Sequence, residues 1–168
     1  MAAFNSSSGL AQAMLSGVSD ASIARVGSDD LDELLVLVRG YCDFYEVSPA
    51  DADLLSVSRT LIADPEHEGL QLLARNTEGR AVGFATLYWS WSTTAACRIG
   101  VMNDLFVAED ARGSGLAEAL IDACRVECVS RGARELTWQT APDNLRAQAV
   151  YDRVGAHREQ WIDYVMPC

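Results

Sequence analysis

The chain has 168 residues, 49% of them hydrophobic and 22% charged, with a formal net charge of −11. That size and composition suit one globular domain with a single buried core, and no uninterrupted apolar run approaches the length of a membrane span. The charge argues against nucleic acid or an anionic membrane surface as main partner and mildly favours a cationic small substrate, although acidity also serves solubility alone.

Residues 1–20 read as a flexible tail, because Met1 to Ser19 carry no charged side chain and lack the basic start and apolar centre of a secretory signal. Residues 21–168 read as a single domain. Ala21 to Val26 is a short strand. Ser28 offers a helix cap, Asp29 and Asp30 favour the positive helix start, and Leu31, Leu34, Leu35 and Val38 form a helical stripe that Gly40 weakens. Ser48 and Pro49 read as cap and first residue of a second helix, which Asp64-Pro65 ends. Gly69 to Arg75 and Val82 to Trp91 are strand-like, joined by a hairpin turn at Asn76-Thr77-Glu78-Gly79. Arg98 to Val107 is the next strand. Leu116 to Arg131 is the clearest helix, with Ala117, Leu120, Ile121, Cys124 and Cys128 as its buried stripe and Gly132 beyond its end. Glu135 to Thr140 is a strand, Asp143 or Asn144 caps a last helix ending before Gly155, and Arg158 to Met166 is a final strand. Hairpin-joined strands should be antiparallel and strand–helix–strand crossovers parallel, giving a mixed α/β sheet with helices on both faces.

The five cysteines, Cys42, Cys97, Cys124, Cys128 and Cys168, are odd in number and include no C-x-x-C pair, as expected of a reducing, cytoplasmic setting. Cys124 and Cys128 read as small apolar residues of a helix stripe. The histidines, His67 and His157, supply no ligand cluster, and no metal is expected.

The most informative stretch follows the Arg98–Val107 strand. Arg112-Gly113-Ser114-Gly115 forms a basic, glycine-rich loop, and an apolar helix begins at Leu116-Ala117. Backbone N–H groups at a helix start lack intrahelical acceptors and can point at an anion. The glycines let the backbone approach a ligand closely, and Arg112 adds a forked cation suited to phosphate. The stretch reads as a pyrophosphate cradle over Arg112, Gly113, Ser114, Gly115, Leu116 and Ala117. A dinucleotide-binding turn fits poorly: the third glycine position is Glu118, and Glu135, near the distance of the expected ribose carboxylate, sits at a strand's start. A P-loop fails, because no Gly-Lys-Ser/Thr follows.

The spacing Arg112-x-x-Gly115-x-Ala117 resembles the acetyl-CoA signature of the GNAT N-acetyltransferases. The segment with Asn144, Ala147, Tyr151 and Gly155 is similar to that family's second block, with Ala156 in place of its final aromatic. The resemblance implies the GNAT fold, a sheet of six to seven strands with the strands ending near Val107 and Thr140 splayed apart to admit acetyl-CoA. It implies that the backbone of Leu105, Phe106 and Val107 pairs with the pantetheine arm, while those side chains also serve as core. It implies that Asn144 contacts pantetheine, although a helix cap explains Asn144 equally. It implies that Tyr151 gives a proton or hydrogen bond to the departing thiolate.

An acceptor amine is mostly protonated near pH 7, and a carboxylate has to take its proton. Asp104, on the strand next to the reacting carbonyl, is the first candidate, with fixing a loop or capping a turn as its alternative role; Glu46 is the second. Tyr41, Phe44, Tyr45, Tyr88, Trp89 and Trp91 could line an acceptor pocket, and strand alternation puts Trp89 and Trp91 on one face and Tyr88 on the other. The pocket expected is Tyr41, Tyr45, Glu46, Trp89 and Asp104. The function expected is direct acetyl transfer from acetyl-CoA to a small cationic amine, polyamine or lysine-like, through a ternary complex. The alternatives are a CoA-binding regulatory domain without turnover, another acyl-CoA donor, or a protein N-terminal or lysine amine as acceptor. The sequence does not fix the oligomeric state; a homodimer is the commonest kind.

Overall fold

A computed structural model describes residues 21–167. The reading of residues 1–20 as a tail lies outside these. The described residues fall into two units, one running to Trp138 and one from Gln139.

The first unit is a five-stranded sheet in the order β1-β2-β3-β4-β5. Its strands are β1 (Ser22–Arg25), β2 (Gly69–Arg75), β3 (Ala81–Ser92), β4 (Cys97–Val107) and β5 (Glu135–Thr137). The first four are antiparallel neighbours, and β5 lies parallel to β4. That follows from connectivity. A tight turn at Asn76 to Gly79 joins β2 to β3, with Asn76 Oδ1 accepting the Glu78 and Arg80 N–H groups. Helix α3 (Leu116–Ser130) carries the chain from β4 to β5 as a crossover.

Two helices, α1 (Leu31–Phe44) and α2 (Asp51–Ala63), precede β2. Leu34 and Leu37 of α1 pack with Leu73 and Phe84 of the sheet in one buried cluster, joined by Tyr41 and Phe106. On the other face, a Cβ on Gly83 would meet Leu116 and Leu120 of α3, and one on Gly100 would collide with Cys128 Sγ. The sheet is therefore covered by α1 on one side and α3 on the other, as the alternation of β3 requires.

Four details depart from the sequence reading. Helix α1 runs unbroken past Gly40, where the expected weak point is a packing position: a Cβ there would come within 2.9 Å of the Phe106 ring. Helix α2 starts after Ala50 without a side-chain cap, so Ser48 and Pro49 lie outside it, and Asp51 and Asp53 supply first-turn charge instead. Strand β5 is only three residues long. No strand forms over 158–166, so the described sheet has five strands where six to seven were expected.

That missing strand belongs to the second unit. This unit holds α4 (Leu145–Arg153), capped by Asn144, whose Oδ1 accepts the Ala147 N–H at 3.1 Å. Beyond it residues 156–167 form neither helix nor strand, and Arg158 pairs with Asp152 at 2.8 Å. Trp161, Ile162, Tyr164, Val165 and Met166 are all at least 80% exposed. They have the composition of a strand, but strand preference is a preference for pairing and burial, and no partner strand is present among the described residues.

Candidate active site

Strand β4 outruns its neighbour. Its pairing with β5 covers only Ile99, Gly100 and Val101, whereas β4 continues to Val107. From Met102 onward, the side of β4 facing away from β3 has no strand partner among the described residues. Ala108 donates its N–H to the Val82 carbonyl at 2.9 Å. Counting back through the antiparallel register, Phe84–Phe106 and Thr86–Asp104 are also hydrogen-bonded pairs, and Gly83–Val107 and Ala85–Leu105 are not. Leu105 and Val107 therefore turn their N–H and C=O groups to the open edge. The strand expected to reach Thr140 stops at Thr137, and the edge of β4 so left open can be used by an extended polar ligand as a strand would use it.

The cradle closes that edge. A 3-10 turn over Glu109–Ala111 reverses the chain. Arg112 then folds back, its Nε donating to the Val107 carbonyl at 3.0 Å and its guanidinium lying 5.9 Å from the Phe106 ring centroid. This fixes the stem of the side chain and leaves the charged end exposed. Gly113 and Gly115 both have φ of +81°, a left-handed conformation that a side chain would strain. Gly115 is the cap of α3, and Ser114 Oγ donates to the Ala111 carbonyl at 2.8 Å. A Cβ on Gly113 would enter open space. The first turn of α3, at Leu116 and Ala117, directs amide hydrogens outward. Exposed cation, left-handed glycines and helix start together fit a pyrophosphate.

Asp104 sits on the face that α1 covers. Its neighbour Asn103 is an inserted residue: Thr86 pairs with Asp104 and Leu87 with Met102, leaving Asn103 as a β-bulge. Asn103 Nδ2 donates to Asp104 Oδ1 at 3.0 Å. Thr86 and Tyr41 also hydrogen-bond the carboxyl. Burial is the strongest influence and pushes this carboxyl above the usual carboxylate range; the three hydrogen bonds pull the other way. Burial, and then the charge of Asp104, raise the phenols of Tyr41 and Tyr88, so both remain neutral donors.

Not every expected residue gathers here. Trp89 is on the opposite face of β3, its ring 4.9 Å from the Arg131 guanidinium and its Nε1 donating to the Pro65 carbonyl at 2.9 Å. Its assignment to the pocket of Asp104 is corrected, and Tyr88 occupies that face instead. Tyr45 stacks edge-on against Tyr41, 5.0 Å between centroids, and approaches Asp104 through it. Glu46 follows in an exposed left-handed turn, with φ of 57°. Asn144 and Tyr151 lie in the second unit, Asn144 as a cap and Tyr151 half-buried on α4. Burial raises the Cys124 thiol to about 12 and the Cys128 thiol to about 11, so neither offers a thiolate near neutrality. Sequence reasoning missed Thr86 and Gln71; the available signal was a polar residue interrupting the buried apolar run of each strand.

The acetyltransferase (GNAT) family profile matches residues 36–156. A Bacillus subtilis (strain 168) protein, "Uncharacterized N-acetyltransferase YhfO", is 30% identical over 134 residues, covering 80% of this chain and 88% of its own length. Among solved structures, a probable acetyltransferase superposes with a TM-score of 0.77 at 28% identity, covering 88% of this chain and 97% of that one. The aminoglycoside N-acetyltransferase AAC(6')-Iy, in complex with CoA, has a TM-score of 0.76 at 23% identity, covering 89% and 97%; that likeness is one of fold. The chain belongs to the GNAT family and is an acetyl-CoA-dependent N-acetyltransferase.

Proposed function

We propose that this GNAT acetyltransferase acetylates the primary amine of a small cationic acceptor, polyamine or lysine-like, by direct transfer in a ternary complex. The observation that carries this reading is Asp104, a carboxylate ringed by Thr86, Tyr41 and Asn103, with its acidity weakened by burial. Such a group attracts an ammonium and is a better proton acceptor than an exposed aspartate. The phenols of Tyr41 and Tyr88, and Tyr45 behind them, offer ring faces to a cation. The net charge of −11 draws a positive acceptor toward the protein.

Acetyl-CoA supplies the activated acetyl thioester. In this reading its diphosphate rests on Arg112, Gly113, Ser114, Gly115, Leu116 and Ala117. Its pantetheine arm lies along the open edge of β4, meeting the outward backbone groups of Leu105 and Val107, with Phe106 packed beneath. Asn144 Oδ1 already accepts from its own helix, which leaves its Nδ2 as the donor for pantetheine. Asp104 accepts a proton from the bound ammonium. Tyr151 holds a proton at its phenol oxygen, ready for the departing sulfur. Among the described residues no hydrogen bond joins a cysteine to a histidine, so nothing there prepares an acyl-enzyme.

The test is release of free CoA, followed with a thiol reagent, across polyamines, lysine-like amines, aminoglycosides and peptide N-termini. Preferential turnover of small polycationic amines is expected. Turnover confined to peptides would reject the small-acceptor reading, and a preference for succinyl or longer thioesters would reject acetyl as the group moved.

A further inference from the structure

A single polar row crosses the middle of the sheet. Gln71 of β2 pairs with Thr86 of β3, and Thr86 pairs with Asp104 of β4. Gln71 and Thr86 are buried among apolar neighbours, at 6% and 0% exposure. Gln71 Nε2 donates to Thr86 Oγ1 at 3.1 Å. A hydroxyl has one proton. Thr86 Oγ1 accepts from Gln71, so its own proton remains to be donated, and Asp104, its cross-strand partner, is the carboxyl whose ionised form Thr86 favours. The other amide atom, Gln71 Oε1, is buried without a hydrogen-bond partner. An orphaned buried acceptor carries a stability cost. Leucine at position 71 would avoid that cost, so the glutamine is a local break with packing rules of the kind expected at a functional site.

We propose that Gln71 and Thr86 are positioning residues for Asp104, a two-side-chain brace that fixes the direction of its carboxylate and favours its ionised form. This rests on the reading of Asp104 as the proton acceptor. The titratable groups facing the carboxylate are Tyr41 of α1, with Tyr45 behind it, and Tyr88 of β3. Helix α3 packs on the opposite face and presents no group to it. Asn103 on β4 completes the shell.

The test reads Asp104 directly. Protein labelled with 13C at the aspartate carboxyl is titrated by NMR, and the Asp104 signal is assigned by its loss in Asp104→Asn. In Thr86→Val, which keeps the shape and removes the hydroxyl, the midpoint rises by about one pH unit, the size of a lost charge-assisted hydrogen bond. Thr86→Ser leaves it near the wild-type value. Gln71→Met, which removes the donor behind Thr86, raises it by a smaller amount. The acid limb of kcat/KM moves by the same interval, with KM for acetyl-CoA unchanged. A wild-type midpoint in folded Thr86→Val overturns the brace; if that variant fails to fold, an unmoved midpoint in Gln71→Met does so. A midpoint that moves while the kinetic limb stays fixed upholds the brace and removes Asp104 as proton acceptor.

Discussion

Replacing Asp104 by Asn separates two sources of pH dependence. A primary alkyl amine has a free pKa of about 10.4, so at pH 7 only about one molecule in 2,500 is neutral. If Asp104 takes the proton from bound ammonium, the wild-type enzyme draws on the abundant protonated amine once Asp104 is ionised. Burial places that ionisation above the usual carboxylate range. The active, charged form is therefore lost as pH falls through the raised value, and activity levels off above it. Asp104→Asn has no acceptor for the proton and depends on amine that is already neutral. Its kcat/KM should climb about tenfold per pH unit from 7 toward 10. The deficit should be up to about 10³-fold at pH 7, or about 4–5 kcal/mol of transition-state stabilisation, and close to nothing near pH 10. Initial rates of CoA release under subsaturating amine, from pH 5.5 to 10, give both curves. Parallel wild-type and variant profiles, offset by a constant factor, would refute the proton-transfer role and leave Asp104 as a binding group only.

Gly115→Glu should abolish CoA uptake in isothermal calorimetry while the protein stays folded, because φ of +81° disfavours a side chain and the new carboxylate opposes the diphosphate. Tyr151→Phe should lower kcat by about 10²-fold with CoA affinity unchanged, since only a proton donor is removed; equal turnover excludes the acid role. Gly100→Ala should destabilise the fold by about 1–3 kcal/mol in urea, because the added methyl overlaps Cys128 Sγ. Cys128→Ala in the same chain should recover much of that loss, and strictly additive effects would show that the two positions do not touch.

Much of this site is local in sequence and was legible there. Arg112, Gly113, Gly115 and the first turn of α3 are consecutive, and each states its own conformational need. Strand β4 was legible from its apolar run, and α3 from the spacing of Leu120, Ile121, Cys124 and Cys128, all of which are buried. What escaped depends on register between distant segments. Gln71 and Thr86 are 15 positions apart, and neither predicts the other until β2, β3 and β4 are aligned. Gly40 read only as a weak point of the helix because the ring of Phe106, far along the chain, is invisible in a local window. Trp89 and Tyr88 could be assigned to opposite faces, but not to the correct ones. The strand expected over 158–166 failed for the converse reason: its residues are right, but a strand also needs a neighbour.

The bulge at Asn103 explains why simple alternation misleads along β4. Residues two apart on a regular strand share a face, so Met102 and Asp104 would point the same way. One demand is apolar and the other is charged. Met102 is 3% exposed and pairs with Leu87, which lies on the α3 side, whereas Asp104 pairs with Thr86 on the α1 side. Cross-strand partners share a face, so the inserted Asn103 is what sends the two side chains to opposite faces of the sheet. The same insertion supplies the amide that holds Asp104 Oδ1 at 3.0 Å. It lies beyond Val101, the last residue of β4 paired with β5, so the kink falls where the two parallel strands part. One extra residue thus reconciles an apolar core on one side with an acid on the other, and does so at the start of the open edge.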